Sequence, residues 1–265
     1  MDNATDTDTA RCKNCGEHLR GDYCYICGQR VRNRLTVRMV LTDVWETISN
    51  VDRGFLHTVI VLFTQPGQTI RDYVSGRTRP YMNPFRFAIL LATVSVILNF
   101  TFGLYEDTQS EISAAFVPEE NAEEFLENQR QALKYMRPFL NFMPILLVPF
   151  TAFFFRLFTR SRLPFNYAEH MVAGFFSMGQ LSLISLPLIT VYLITGSASY
   201  GLWVGLVSFV IYFGVVYRQL ANLNWVRASL ISLLSIVLGY VSFIIIIMLL
   251  TVLVLLVLAA LGLLN

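Results

Sequence analysis

Beyond Cys27 the chain contains no cysteine, and from Ser229 to Leu264 it contains no charged residue. Only 14% of its 265 residues are charged, where a soluble domain carries about 25%. No HExxH, GxSxG, P-loop or GxGxxG pattern occurs, so zinc proteolysis, serine hydrolysis and nucleotide binding lack their usual residues. The first ten residues, MDNATDTDTA, are acidic and polar and read as a disordered tail. They resemble neither a signal peptide nor a transit peptide, so membrane insertion is expected to use internal segments.

What is abundant is apolar. The chain is 55% hydrophobic, with 21 Phe and long apolar runs. This composition predicts an all-α polytopic integral membrane protein with five or six transmembrane helices. The expected spans are 85–104, 139–158, 171–195, 200–217 and 229–264, forming a membrane domain over 84–265. Pro144 and Pro149 fall inside the second, and Pro187 is expected to kink the third. The last stretch is 36 residues, roughly 54 Å as one helix, against a hydrocarbon core of about 30 Å. It is expected to tilt, to bend near Gly239, or to form a hairpin of two short spans.

Charge sets the expected orientation. Residues 1–86 carry 12 of the 20 Lys and Arg, and the loops 156–169 and 218–228 are basic. Loop 105–138 has 8 Asp and Glu against 3 Lys and Arg, and 196–199 has no charge. Basic and non-basic loops alternate, which predicts a multi-pass inner-membrane protein with a cytoplasmic N-terminus. The acidic loop is expected to be extracytoplasmic. Its stretch PEENAEEFLENQRQALKYMR reads as a surface helix with acidic residues early and Lys134 and Arg137 late. No Asp, Glu, Lys or Arg lies well inside a span, which argues against proton- or sodium-coupled transport. Asn99 and Gln180 are the larger polar groups at membrane depth and are expected to act as interhelical glue.

All four cysteines lie in one short segment: Cys12 and Cys15 as CKNC, then Cys24 and Cys27 as CYIC. Two close Cys-x-x-Cys pairs are the spacing of a tetrahedral four-thiolate Zn2+ site, and residues 11–30 read as a zinc ribbon. An iron site or a redox dithiol pair is the competing reading. Gly16 and Gly28 follow the second cysteine of each pair, where positive φ is often required. A reducing cytoplasm favours metal over disulfides, in agreement with the charge-based orientation. Four thiolates leave no open coordination position, so the site suits a structural staple or a docking module rather than catalysis. The nearby Arg11, Lys13, Arg20, Arg30, Arg32, Arg34 and Arg38 fit a membrane-facing stripe better than nucleic acid.

Residues 35–83 connect the ribbon to the spans. Thr36 can cap a helix carrying Val37, Val40, Leu41, Val44 and Ile48 at amphipathic spacing, and Trp45 suits the headgroup zone. Phe55–Phe63 is an apolar run too short to span and reads as interfacial or re-entrant. Pro66-Gly67 signals a turn, followed by a short helix over Gln68–Ser75 that ends at Gly76. GRTRPYMNPFRF then interleaves Arg77, Arg79 and Arg86 with Tyr81, Phe85 and Phe87. With Arg71 it forms a basic-aromatic collar suited to an anionic inner leaflet, each Arg contributing about 1 kcal/mol. Ordinary positive-inside anchoring is the plainer reading.

Over residues 12–90 the chain resembles an uncharacterised bacterial family, mostly from Bacteroidetes-type genomes, classified only as a domain of unknown function. The resemblance rests on Cys12, Cys15, Cys24 and Cys27, on Pro66-Gly67, and on Gly76, Arg77, Arg79, Tyr81, Pro84 and Phe85. It implies a ribbon followed by several transmembrane helices and brings no activity.

Glu169 and His170 open the third span, with His57 elsewhere. They could be acid–base groups or ligands, but an interfacial polar cap is the plainer reading. Taken together, the residues favour a non-enzymatic membrane-anchored adaptor or regulator whose cytoplasmic ribbon docks a protein partner. A passive or lipid-handling channel is the alternative, supported by the proline-broken spans. An interface enzyme using Arg77, Arg79, Glu169 and His170 on a phosphorylated lipid ranks third. Homo-oligomerisation stays open.

Overall fold

The computed structural model describes residues 11–19, 21–30, 36–37, 54–104, 125, 127–128, 131, 142–196 and 198–261. The tail 1–10, most of the expected helix after Thr36 and most of loop 105–138 lie outside them. The described residues hold seven named helices, and their only β-pairing is two isolated bridges in the cysteine segment. The helices are α1 (Phe55–Thr64), α2 (Pro66–Val74), α3 (Pro84–Thr101), α4 (Met143–Thr159), α5 (Tyr167–Thr195), α6 (Ala198–Ala221) and α7 (Trp225–Ala260).

Local chemistry sets the helix starts. Pro66 opens α2, where its missing N–H costs nothing. Asn83 caps α3, its Oδ1 accepting from Phe85 N at 3.0 Å and Arg86 N at 3.2 Å, and Pro84 follows in the first turn. The Asn-Pro pair of the collar is thus a helix start. Asn166 and Glu169 form a reciprocal capping box, so α5 begins four residues before the expected Met171. Asn224 caps α7 by accepting from Arg227 N at 3.0 Å. Pro144 lies in the first turn of α4 rather than inside it, whereas Pro149 and Pro187 are interior.

α3, α5, α6 and α7 are long and apolar enough to cross a membrane. α4 is apolar but shorter, at 17 residues. The final stretch is one continuous helix, which removes the hairpin alternative. Gly239 does not break it. A Cβ there would stand 2.7 Å from Thr151 Cγ2 and 3.0 Å from the Thr151 backbone, so the glycine lets α7 and α4 touch. Phe150 meets Phe243 edge-on across the same contact, at 5.4 Å between centroids.

α5 is the central helix and packs on α3, α4 and α6, while α7 lies against α4 and α6. Residues Ala168–Leu181 of α5 are buried throughout. At its start, Phe155 of α4 lies flat on Tyr217 of α6, with 3.9 Å between centroids and 1° between planes. His170 continues this stack, and its Nδ1 hydrogen-bonds Tyr217 OH at 3.0 Å. α1 and α2 form a short hairpin, with α2 packed on α6.

Candidate metal centre and membrane-interface collar

The cysteine segment folds as two copies of one turn. Cys12 N donates to Glu17 O at 2.7 Å and Gly16 N to Cys12 O at 2.8 Å. Twelve residues later Cys24 N donates to Gln29 O and Gly28 N to Cys24 O, both at 2.8 Å. The flanking bridges Arg11–His18 and Tyr23–Arg30 repeat the same offset. Gly16 and Gly28 have φ of 79° and 67°, the left-handed region expected for them.

These turns bring the four Sγ atoms within 4.8 Å of one another. Cys12–Cys27 and Cys15–Cys24 are 3.6 and 3.5 Å apart, much longer than a disulfide bond of about 2.05 Å. A tetrahedron with metal–sulfur arms of about 2.3 Å has edges of about 3.8 Å. The donor set therefore fits a metal ion. Burial pushes the Cys27 thiol up, but hydrogen bonds involving Asn14, the Gln29 backbone, Cys15 and Cys12 outweigh it and hold it down at about 6. At Cys15 a backbone hydrogen bond involving Glu17 pulls down, while burial and the other three thiols push it up to about 12. Metal binding requires thiolates, so loading such a site releases protons.

The second turn is fastened to the collar by Gln29, which is 3% exposed. Gln29 Nε2 donates to Gly76 O at 2.6 Å, with Thr78 Oγ1 at 3.0 Å and Arg30 O at 3.1 Å. Gln29 Oε1 accepts from Arg79 N at 2.8 Å. Arg77 Nε reaches Asn14 Oδ1 at 3.4 Å from the other turn. The Arg79 guanidinium lies against Gly28, about where a Cβ would make van der Waals contact at 3.5 Å. The ribbon is therefore seated on residues 76–79 rather than tethered loosely. Its exposed tip carries Tyr23, Tyr25 and Ile26.

Within the collar Asp72 is the hub. It accepts from Gln68 Nε2 at 2.6 Å, Arg77 Nη1 at 3.2 Å and Tyr81 OH at 3.1 Å. Burial, then the Asp72 charge and hydrogen bond, push the Tyr81 phenol up to about 12 against the opposing pull of Arg77. Arg71 is exposed in the last turn of α2, where a cation suits the helix dipole. Arg86 is half-buried in the first turn of α3. Arg79 is exposed, and among the described residues no carboxylate pairs with it.

The hairpin is tied to the spans by groups that no local pattern announces. Thr58 Oγ1 donates to Gly54 O and accepts from Met82 N, both at 2.8 Å. Tyr212 OH donates to Leu62 O at 3.0 Å, and Gln219 Oε1 accepts from Gly67 N at 2.8 Å.

The remaining expected positions fall differently. His57 stacks on Tyr81 at 5.7 Å, whereas His170 bonds Tyr217, so the two imidazoles serve separate contacts. Glu169 and His170, read as an interfacial polar cap, lie at the start of α5 and are 3% and 0% exposed. Glu169 is drawn in by its capping box, and His170 by the aromatic stack. Among the described residues, Asn99 bridges no helices. Its Nδ2 turns back to Ser95 O at 2.7 Å, and the interhelical contact is Ser95 Oγ to Ser185 Oγ at 3.4 Å. Gln180 is fully buried with no hydrogen-bond partner for either amide atom among the described residues. A cavity of about 250 Å³ lies among α3, α4, α5 and α6, lined in part by Ser95, Ser182, Ser185 and Ser208.

No curated protein and no solved structure matches this chain. Residues 52–96, less than half of it, match the family model described as "Protein of unknown function (DUF3667)". That segment contains α1, α2, the collar and the first part of α3, so the hairpin–collar unit is what this chain shares with that family.

Proposed function

We propose that the chain is a non-enzymatic adaptor or regulator of the bacterial inner membrane, with a zinc ribbon held at the cytoplasmic face to dock a protein partner. The observation that carries this reading is the Gln29 latch. Its contacts with Gly76, Thr78 and Arg79 hold the ribbon in one place on the collar. The tip residues Tyr23, Tyr25 and Ile26 are 58%, 63% and 64% exposed, aromatic and aliphatic surface of the kind that anchors interfaces. Four thiolates favour zinc by softness and geometry and leave it no open position for catalysis. The test is mild cross-linking and co-purification from native membranes. Wild type is compared with a Tyr25→Ser/Ile26→Ser variant and with a variant in which all four cysteines are serine. A partner lost with both variants at equal protein abundance supports the reading. Identical partner sets in all three would overturn it.

A passive or lipid-handling pathway is the second reading, supported by the largely apolar cavity, with four serines in its lining, among α3, α4, α5 and α6. Flux through proteoliposomes that falls on Ser185→Leu would support it. Absence of flux for ions, small solutes and lipids would remove it.

A further inference from the structure

We propose that α1 and Arg79 together bind an anionic phospholipid of the inner leaflet, with its acyl chain along α1 and its phosphate at the guanidinium. The proposal rests on the reading that the collar lies at the cytoplasmic interface, and on no docked protein.

The apolar half of the site is the outer face of α1. Leu56, Ile60 and Phe63 are 68%, 54% and 53% exposed, and their spacing puts them on one side of the helix. Thr58 and Leu62, on the opposite side, are both 0% exposed. α1 has no charged residue. Its depth follows from its partners on the long helices. In the turn after α1, Gly67 N donates to Gln219 Oε1, two residues before the end of α6 at Ala221. Thr58 Oγ1 accepts from Met82 N, two residues before α3 begins at Pro84. α1 therefore lies level with the ends of the long helices, along the interface, where a Leu/Ile/Phe face meets the upper part of the acyl chains.

The polar half lies where α1 begins. Gly54 sits against the backbone of Pro80–Met82, a Cβ there standing 3.0 Å from Pro80 O, and His57 stacks on Tyr81. Arg79 precedes that contact by one residue, exposed and without a carboxylate partner among the described residues. Arg77, by contrast, is engaged by Asp72. An exposed guanidinium whose backbone neighbour meets the start of an apolar helix complements a phosphate joined to acyl chains, and a planar guanidinium can bind two phosphate oxygens at once. The ribbon has a role in this site. Gln29 takes the Arg79 N–H, and Gly28 leaves room for the guanidinium to lie against it. The ribbon is thereby a positioning element for the lipid-binding cation.

The test uses the full chain in bilayers of phosphatidylcholine and phosphatidylglycerol. In a background with Trp45, Trp203 and Trp225 changed to Phe, Ile60→Trp reports the outer face of α1. Quenching by brominated acyl chains but not by aqueous iodide is expected, and iodide quenching alone would overturn the proposal. After mild extraction, Arg79→Gln should retain about five-fold less phosphatidylglycerol per chain, with Arg79→Lys between it and wild type. Gln29→Ala should fall in the same direction with its metal content unchanged. Unchanged retention in Arg79→Gln, or an equal loss in Arg71→Gln, would overturn the site. Displacement of the lipid by inorganic phosphate alone would identify a soluble anion site and overturn the lipid assignment. Partner co-purification is read separately, so the docking reading and the lipid site can fail independently.

Discussion

Replacing Gln29 by alanine should unlatch the ribbon without emptying it. The carboxamide is 3% exposed and serves Gly76 O at 2.6 Å, Thr78 Oγ1 at 3.0 Å and Arg79 N at 2.8 Å. Each such bond contributes about 1 kcal/mol net, and a buried partner left unpaired costs more. Counting only the two backbone partners gives about 2 kcal/mol, or roughly thirty-fold in the docking equilibrium. Metal should stay, because the second turn is closed by main-chain bonds, Cys24 N to Gln29 O and Gly28 N to Cys24 O, that alanine keeps. The assay is trypsin cleavage of the full chain in detergent. Arg77–Thr78 is the informative bond, since Arg79 precedes Pro80 and resists the enzyme. When opening and closing are faster than cleavage, the rate follows the open population, so cleavage should rise by the same order. Gln29→Glu should behave no better, since it cannot donate to Gly76 O. A cleavage rate equal to wild type in Gln29→Ala, with metal bound, would refute the latch.

Chelation, or Cys24→Ser at a position 2% exposed, should open the second turn and raise Arg77–Thr78 cleavage, while helical circular dichroism stays unchanged. Gly239→Ala should lower the melting temperature in detergent, because its Cβ would press on Thr151 at 2.7 Å; such overpacking costs about 1–3 kcal/mol. Tyr217→Phe should cost about 1–3 kcal/mol by leaving buried His170 without its Nδ1 partner, seen as a lower melting temperature with metal retained. The Tyr81 phenol is pushed up to about 12 from 10.0, so its stabilising contribution is complete below pH 10 and lost as pH rises through 12. The melting-temperature difference between wild type and Tyr81→Phe should therefore be constant up to pH 10 and shift against wild type above it. A difference that stays flat to pH 12 would contradict the environment described for Tyr81.

The helices were legible because long apolar runs and their punctuation are local. The run from Phe85 placed a helix that begins at Pro84, and the charge-free stretch from Ser229 placed one that begins at Trp225. Pro66-Gly67, read as a turn before a helix at Gln68, is itself the first turn of that helix. The thiol quartet was legible for the same reason, since its spacing is the geometry. Long-range contacts were not. Tyr212 with Leu62 and Gly67 with Gln219 join residues 150 and 152 positions apart, and no periodicity marks them. The close contact at Gly239 was not legible because it depends on Thr151 of another helix, which no pattern around the glycine reveals. The burial of His170 was not legible because its partner Tyr217 comes from another helix, 47 positions away.

The division of labour between ribbon and collar follows from which atoms meet. Gln29 addresses the collar through the Gly76 carbonyl and the Arg79 amide, groups that persist whatever side chains occupy those positions. A latch made this way constrains the path of the backbone and leaves the Arg79 side chain to face another ligand. The match to residues 52–96 lies on the same side of this division: it takes in the hairpin and the collar and stops short of the ribbon. Losing the latch should therefore loosen the aim of Arg79 while α1 keeps its seat, because Thr58, Tyr212 and Gln219 hold the hairpin independently of Gln29.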